Sequence, residues 1–325
     1  MSDVFRWHGG RLAEARLHYG TADEPWIDLS TGINPQPWPG AAQITPDWHA
    51  LPDPAALADL EAAAAAHFGV VPAHVCAVPG SEIGLRLTGR LLEVPGCHLV
   101  PSYRTHAAAF ASSEPLHEPE DAPPGTALLL ANPNNPDGRL FSPDRMRALL
   151  ARQERQNGWL IVDEAFADCL PGSSIAGEIG EGRRLILLRS FGKFFGLAGL
   201  RLGFLLGPPS ILTACRQWLG DWPLSAAAID FGRAAYGDRD WIDATIAALA
   251  DHAARLDGLL ARHGLTPRGA CPLFRLVETD DAGALFERLA RRAILTRPFE
   301  DRPRWLRFGL PADDAAMTRL DAALG

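Results

Sequence analysis

Lysine is almost absent from this chain of 325 residues: of its 31 lysine and arginine residues, only Lys193 is a lysine. Acidic residues outnumber basic ones by 39 to 31, which gives a formal net charge of −8. A chain without an excess of basic residues lacks the positive face that neutralises phosphates, so nucleic acid is not an expected partner. Apolar runs of roughly 18 residues, the length of a membrane span, are also lacking, so no membrane association is expected.

Cysteine is scarce as well, and its spacing is informative. The five cysteines are far apart and odd in number, at positions 76, 97, 169, 215 and 271. This spacing favours neither a disulfide framework nor a zinc site, so we expect buried free thiols and no bound metal. The first ten residues lack the apolar core of a secretion signal, and a cytoplasmic location is therefore expected.

Short apolar runs alternate with helical stretches through the middle of the chain. Strands are predicted at Ala127–Ala131, Trp159–Val162, Leu185–Leu188 and Phe204–Leu206, and helices at residues 54–68, at residues 81–94 and after the N-cap Ser142. Continuous apolar strands are typical of parallel sheets that are covered by helices on both faces. The sequence therefore predicts an α/β fold with a mostly parallel sheet between helices.

The length suggests about two domains. We expect a loop-like N-terminal arm over residues 1–50, which joins the small domain and the substrate site, a large domain over residues 51–225 and a small α+β domain over residues 226–325. Two strands are predicted in the last of these, at Leu273–Val277 and Trp305–Leu310. The acidic, proline-rich stretch Glu114–Gly125 is predicted to be a surface loop.

Three of the predicted strands end in polar residues. Asn135 follows the first, Asp163 ends the second, and Ser190 and Lys193 follow the third. Because ligands of open parallel sheets bind at the carboxyl ends of the strands, these groups are expected at one edge of the sheet. Two phenylalanines follow Lys193, and an apolar setting favours the neutral amine that a nucleophilic lysine needs.

Three motifs occur together in an order that resembles one family. They are Asn132-Pro133-Asn134-Asn135-Pro136-Asp137-Gly138, Asp163-Glu164-Ala165-Phe166, and Ser190-x-x-Lys193 followed by Arg201. This set resembles the pyridoxal-phosphate (PLP) enzymes of aminotransferase class I/II, which have the aspartate-aminotransferase fold, also called fold type I. The resemblance implies that PLP is the cofactor, that Lys193 binds it covalently and moves the proton at the substrate Cα, and that Asp163 pairs with its ring nitrogen.

The same resemblance implies roles for the remaining site residues. Asn135 would donate to the ring oxygen, Tyr103 would stack on the ring within the catalytic set, and Phe166 stands where aminotransferases carry a tyrosine. The cofactor phosphate would be bound at the start of a helix, where backbone N–H groups and the helix dipole favour anions, and by polar side chains. These implied phosphate contacts are Gly80, Ser81, Glu82, Ser190 and Arg201.

Further motifs resemble a narrower group, the threonine-phosphate decarboxylases of cobalamin biosynthesis. They are His8-Gly9-Gly10-Arg11, Asp28-Leu29-Ser30-Thr31-Gly32-Ile33-Asn34-Pro35, Leu51-Pro52-Asp53-Pro54 and Leu306-Arg307-Phe308-Gly309-Leu310-Pro311. This resemblance implies decarboxylation of L-threonine O-3-phosphate to (R)-1-amino-2-propanol O-2-phosphate. It also implies a substrate site in which Arg307 binds the carboxylate. The residues implied near the substrate phosphate are His8, Asn34 and Arg297, and the remaining implied substrate contacts are Gly32 and Asn135.

Other functions remain open. A histidinol-phosphate aminotransferase, or another class I/II aminotransferase, is the nearest alternative, although Phe166 and the His-Gly-Gly motif favour the decarboxylase. A catalytically silent scaffold of the same fold is a second alternative, but it gives no reason for Lys193, Asp163 and Arg201 to occur together. The resemblance also implies a homodimer, because in this fold the arm of the partner usually completes the active site. Leu51 departs from the family pattern, since relatives carry a tyrosine there.

Overall fold

The computed structural model describes residue 5, residues 9–20 and residues 24–325. The chain forms two compact units. Unit 1 comprises Met1–Gln36, Pro136–Gly138 and Thr245–Gly325, and unit 2 comprises Pro37–Asn135 and Arg139–Ala244.

This division differs from the domain boundaries placed at residues 50 and 225 from the sequence. Residues 37–50 fall in unit 2, because Trp38 is tied to it by two hydrogen bonds. The main-chain N–H of Trp38 donates to Phe195 O at 2.9 Å, and its indole N–H donates to Asp238 Oδ2 at 2.9 Å. The arm of unit 1 is therefore shorter than the loop-like stretch that the composition suggested.

The helices and strands are numbered here in chain order. The α-helices are α1 Leu12–Tyr19, α2 Pro54–Phe68, α3 Ser81–Leu91, α4 Pro143–Arg155, α5 Phe191–Phe194, α6 Pro209–Leu219, α7 Ala226–Gly237, α8 Arg239–Arg262, α9 Ala282–Ala290 and α10 Asp314–Leu324. The strands are β1 Ile27–Asp28, β2 Val75–Val78, β3 Gly96–Leu99, β4 Ser113–Leu116, β5 Ala127–Ala131, β6 Trp159–Asp163, β7 Leu185–Ser190, β8 Gly203–Leu206, β9 Pro267–Arg268, β10 Phe274–Glu278, β11 Ile294–Leu295, β12 Arg297–Pro298 and β13 Trp305–Gly309.

Unit 2 is built on a seven-stranded sheet in the order β2-β8-β7-β6-β5-β3-β4. The strands from β7 to β4 in this order run parallel, and β8 is antiparallel to both of its neighbours. Every residue of β5 and β7 is buried, as continuous apolar runs predict for strands covered on both faces. The predicted fold class, α/β with a mostly parallel sheet, is confirmed.

Helix starts in unit 2 follow the capping residues of the sequence. Asp53 accepts a hydrogen bond from the N–H of Ala55 at 2.8 Å at the start of α2, and Ser142 accepts one from Arg145 at 3.3 Å at the start of α4. Both helices begin with a proline, which has no N–H to satisfy at that position. The helix predicted at residues 54–68 and the cap predicted at Ser142 are confirmed.

The strand predicted at Phe204–Leu206 is present as β8, which is antiparallel to both of its neighbours. Two other local predictions were wrong. The loop-like arm contains the helix α1. The loop predicted at Glu114–Gly125 begins inside β4, which forms an edge of the sheet beside β3. In β4 only Leu116 is buried. An edge strand of this kind exposes most of its side chains, so its apolar pattern is too weak to recognise in the sequence.

Unit 1 contains an antiparallel sheet in the order β12-β13-β10-β9 and a parallel pair formed by β1 and β11. Gly309, at the end of β13, lies directly against the main chain of the N-terminal segment. Its N–H donates to Leu29 O at 2.7 Å, and a Cβ at this position would lie 2.4 Å from Thr31 O. The close approach requires glycine and holds the segment next to β13.

The cysteines agree with a further expectation. All five cysteines are buried and free, as predicted. Each therefore packs as a small apolar residue. Within the described ranges, no helix combines the length and the apolar character that crossing a membrane requires.

Candidate active site

A cavity of about 220 Å³ lies in unit 2, where Ala131, Asp163 and Ser190 end β5, β6 and β7. All ten residues that the resemblance implies as cofactor contacts line it, namely Gly80, Ser81, Glu82, Tyr103, Asn135, Asp163, Phe166, Ser190, Lys193 and Arg201. They come from separate stretches of the chain. The sheet brings them together because β5, β6 and β7 are parallel neighbours whose carboxyl ends meet at one edge.

One end of the cavity is suited to an anion. Helix α3 begins at Ser81 without a side-chain cap, so the backbone N–H groups of its first turn are suited to an anion, and Arg201 lies against the preceding Gly80. A Cβ on Gly80 would lie 2.6 Å from Nη2 of Arg201, so only glycine allows the guanidinium to approach this closely. Arg201 itself has a left-handed backbone, with φ of 54°, which costs a non-glycine residue about 1–2 kcal/mol. Strain of this kind is concentrated at functional sites.

Asp163 at the end of β6 is held by two contacts. Its Oδ1 accepts a hydrogen bond from the N–H of Ala165 at 3.1 Å, and its Oδ2 lies 3.2 Å from Nε2 of His106. A carboxylate accepts hydrogen bonds, so Nε2 of His106 is assigned as the donor. The His106 side chain is fully buried, and among the described residues its Nδ1 has no hydrogen-bond partner. His106 therefore orients the Asp163 carboxylate.

His106 is a site residue that sequence reasoning missed. It lies in a short 3-10 helix, Arg104–Ala108, and its N–H donates to Tyr103 O at 2.9 Å. The only available signal was its position three residues after Tyr103, which is itself an implied site residue. A lone histidine in a loop carries no periodicity that would distinguish it from a surface residue.

Tyr103 reaches the start of helix α3. Its hydroxyl donates to Glu82 Oε2 at 2.8 Å, and its ring lies 6.0 Å from the ring of His106 at nearly a right angle. Burial raises the pKa of Tyr103 to about 12, and the Glu82 carboxylate acts in the same direction. The phenol therefore stays protonated at neutral pH and serves as a hydrogen-bond donor.

Lys193 lies on the short helix α5, which follows β7 directly. Its Nζ is 5.9 Å from the ring centre of Phe166, and the residues Phe191, Phe194 and Phe195 beside it are fully buried. The apolar setting expected from the sequence is therefore present. Phe166 offers a ring face and no hydroxyl to the cavity.

Two arginines implied for the substrate are neighbours in unit 1. Arg297 of β12 is paired with Arg307 of β13 in antiparallel register, so their side chains leave the same face of the sheet. Both are buried; Arg307 Nη2 donates to Ser30 O at 2.8 Å, and Arg297 Nη1 donates to Phe5 O at 3.0 Å. Burial lowers the pKa of Arg307 to about 10, which leaves it charged at neutral pH. Two cations on one face are suited to a substrate with two anionic groups.

The other implied substrate residues fall in different places. Asn34 is buried and its Oδ1 accepts a hydrogen bond from the N–H of Gln36 at 2.9 Å, and Gly32 is also buried. Both belong to unit 1. Asn135 lines the cavity of unit 2. His8 lies outside the described residues.

Comparison with known protein families identifies the family of this chain. The sequence model of the family described as aminotransferase class I and II matches residues 113–324. The chain belongs to this family.

Relatives of this aminotransferase-family chain extend the match over almost its whole length. A protein from Pseudomonas aeruginosa named threonine-phosphate decarboxylase is 42% identical, covering 98% of this chain and 96% of its own. A protein of the same name from a Sinorhizobium species is 41% identical, with 98% and 97% covered. Among solved structures, a histidinol-phosphate aminotransferase from Sinorhizobium meliloti in complex with pyridoxal-5'-phosphate has a TM-score of 0.83 at 24% identity, covering 96% of this chain and 92% of that one. The similarity of this structure to the present chain confirms the fold.

Proposed function

We propose that this protein is a PLP-dependent enzyme that decarboxylates L-threonine O-3-phosphate to (R)-1-amino-2-propanol O-2-phosphate in cobalamin biosynthesis. The observation that carries the proposal is that one lysine, Lys193, lines the same cavity as Asp163 and the start of helix α3. The choice of substrate is supported by the two relatives of that name at 42% and 41% identity.

The lining residues of the cavity fit PLP in their chemistry. Lys193 supplies the amine for covalent attachment, Asp163 a carboxylate for the ring nitrogen, and Asn135 an amide for the ring oxygen. The N–H groups at the start of α3, with Ser81, Ser190 and Arg201, offer donors and a cation for a phosphate. When bound, PLP supplies an electron sink for a bond that breaks at the substrate Cα.

The substrate carries a carboxylate and a phosphate, and we assign these to the paired arginines. Arg307 would bind the carboxylate, and Arg297 the phosphate together with His8 and Asn34. By holding the carboxylate, Arg307 would determine which bond at the substrate Cα is positioned to break, and therefore whether CO2 or the Cα proton is lost. A bidentate guanidinium suits this task because it sets the orientation of a carboxylate as well as its position.

Two alternatives are less well supported. A histidinol-phosphate aminotransferase that matches 97% of this chain is 29% identical to it, against 42% and 41% for the decarboxylases. A silent scaffold does not account for the left-handed backbone of Arg201, nor for the close approach of its guanidinium to Gly80. Neither alternative explains the site as well as the decarboxylase.

An assay of purified protein with PLP tests this proposal. We expect CO2 release from L-threonine O-3-phosphate without 2-oxoglutarate, because decarboxylation needs no amino acceptor. L-Threonine without its phosphate is the matched control, and it should react much more slowly if the phosphate is bound. Activity that appears only with histidinol phosphate and 2-oxoglutarate would contradict the proposal.

We also propose that the protein is a homodimer. A second cavity of about 710 Å³ in unit 2 is lined by Trp222, which is 52% exposed. Leu51 and Trp218, 65% and 59% exposed, adjoin other lining residues in the sequence. Exposed apolar and aromatic side chains grouped at a concave surface are typical of interfaces, and the family resemblance implies that a second copy of the chain is the occupant.

A cytoplasmic location remains a prediction.

Light scattering in solution tests the dimer. The parent protein is expected to have twice the mass of one chain, and the double variant Trp218→Glu, Trp222→Glu to shift toward the monomer because it buries two charges in the contact. Val71→Glu, at a position 58% exposed that does not line this cavity, is the control and should keep the parent mass. A monomeric parent protein would contradict the proposal.

A further inference from the structure

A cluster of charged side chains is buried in unit 2 and lies outside the candidate site. This buried ion cluster consists of Arg189, Glu164, Asp168 and His67. Arg189 Nη1 donates to Glu164 Oε2 at 2.9 Å and its Nη2 donates to Asp168 Oδ1, which also lies 3.0 Å from Nε2 of His67. The side chains of Arg189, Glu164 and Asp168 are at most 5% exposed.

The cluster is adjacent in the chain to the residues of the site. Glu164 directly follows Asp163, and Arg189 directly precedes Ser190. The last pair in register between β6 and β7 is Asp163 with Leu188, and the N–H of Glu164 donates to Leu188 O at 2.9 Å. The ion pair of Arg189 with Glu164 thus connects the two strands one residue beyond their last backbone pairing. Successive strand residues point to opposite faces, so Arg189 points away from the face of Ser190.

Most polar atoms of the cluster are paired, although among the described residues Asp168 Oδ2 and Arg189 Nε have no hydrogen-bond partner. Glu164 also accepts hydrogen bonds from the Ser174 hydroxyl at 2.6 Å and the N–H of Ile175 at 3.1 Å. Burial acts to raise the pKa of Asp168, but Arg189 and His67 act more strongly in the other direction and hold it at about 2. Buried ion pairs add little net stability compared with apolar residues of the same size, because desolvation offsets their attraction. A role other than stability therefore has to explain why these charges are buried here.

We propose that the buried ion cluster positions the residues of the candidate cofactor site relative to one another. By joining the ends of β6 and β7, it sets the distance between Asp163 on β6 and Ser190 on β7, and with Ser190 the position of Lys193 on the helix α5 that follows directly. The pairing of β6 with β7 ends at Asp163 with Leu188, before Ser190 and Lys193, whereas the contact of the Arg189 guanidinium with two carboxylates is fixed in direction and length. This inference rests on the proposed function, in which the same residues hold PLP.

Arg189→Lys tests this positioning role. It keeps the positive charge but removes the guanidinium group, which contacts the carboxylates of Glu164 and Asp168 at once. We expect the Kd for PLP to rise about tenfold, as when a group that orients a ligand-binding side chain is removed. We also expect the pH midpoint of the absorbance of the bound cofactor to shift, since that midpoint depends on the charges held around the cofactor. Glu164→Gln should change both quantities in the same direction by a smaller factor, and it decides the matter if Arg189→Lys does not fold.

Arg275→Lys is the matched control. Arg275 is a buried arginine of unit 1 whose Nε and Nη2 contact both oxygens of Asp257, at 2.5 and 3.1 Å. Its replacement should lower the melting temperature by a comparable amount while leaving the PLP Kd and the absorbance midpoint at the parent values. The inference is overturned if folded Arg189→Lys or Glu164→Gln keeps both parent values, or if Arg275→Lys changes them equally. A parent protein that binds no PLP would instead contradict the proposed function itself, and the inference with it.

Discussion

Replacement of Lys193 by alanine is expected to lower kcat/KM for threonine phosphate by roughly 10⁴- to 10⁶-fold, the range found when an essential nucleophile is removed. The same variant should carry no cofactor on a side chain after borohydride reduction, because Lys193 is the single lysine of the chain. Arginine side chains do not replace it, since a guanidinium stays protonated and is not a nucleophile near neutral pH. Intact mass measured after reduction with PLP present reports the attachment directly.

Lys193→Arg is the matched control for charge. It keeps a cation beside Phe166 and removes the amine, so it should be as inactive as the alanine variant and equally free of attached cofactor. The parent protein should gain the mass of one reduced cofactor per chain. Attachment that persists in Lys193→Ala, or a parent protein that gains no mass, would show that the cavity does not work as proposed.

Asp163→Asn is expected to lower kcat by about 10²- to 10³-fold, the range typical of losing one preorganised electrostatic contact in an active site. Asparagine has the size of aspartate, and its single oxygen can still accept the hydrogen bond from the N–H of Ala165, whereas its NH2 group would face Nε2 of His106 and can only donate to it. What it lacks is the negative charge that would keep the ring nitrogen of PLP protonated. We therefore expect a folded protein that binds PLP with an altered absorbance and turns over slowly.

Asp47→Asn is a control of the same chemistry outside the site. Asp47 also accepts a hydrogen bond from the N–H two residues later, that of His49 at 2.8 Å, but in an exposed loop. Steady-state kinetics of this variant should match those of the parent protein. An equal loss of kcat in both variants would indicate that the charge of Asp163 has no special role.

Much of the site could be predicted from the sequence because its residues follow buried strands. The apolar runs that become β5, β6 and β7 are continuous, and such runs are recognisable wherever a strand is covered on both faces. Their polar ends therefore indicated Asn135, Asp163, Ser190 and Lys193 before any contact was known. The resemblance to the family then implied the contacts of the cofactor phosphate at the start of α3.

Other parts of the site depend on contacts between distant residues. His106 and Asp163 are 57 positions apart, and Arg189 and Glu164 are 25 apart, so no local pattern connects them. The edge strand β4 was missed, and the direction of β8 could not be predicted, for a related reason. A strand of four residues has too few side chains to reveal its partner or its direction.

The sequence by itself determined which side chains are able to carry the chemistry: a chain with one lysine has one candidate, Lys193, for covalent attachment of a carbonyl cofactor. Only the tertiary structure decided how the other groups stand around it, with His106 against Asp163 and Arg201 against Gly80. The physical reason is that hydrogen bonds and ion pairs act over a few ångströms. Such distances are set by strand order and register, which residue types and their local spacing do not encode.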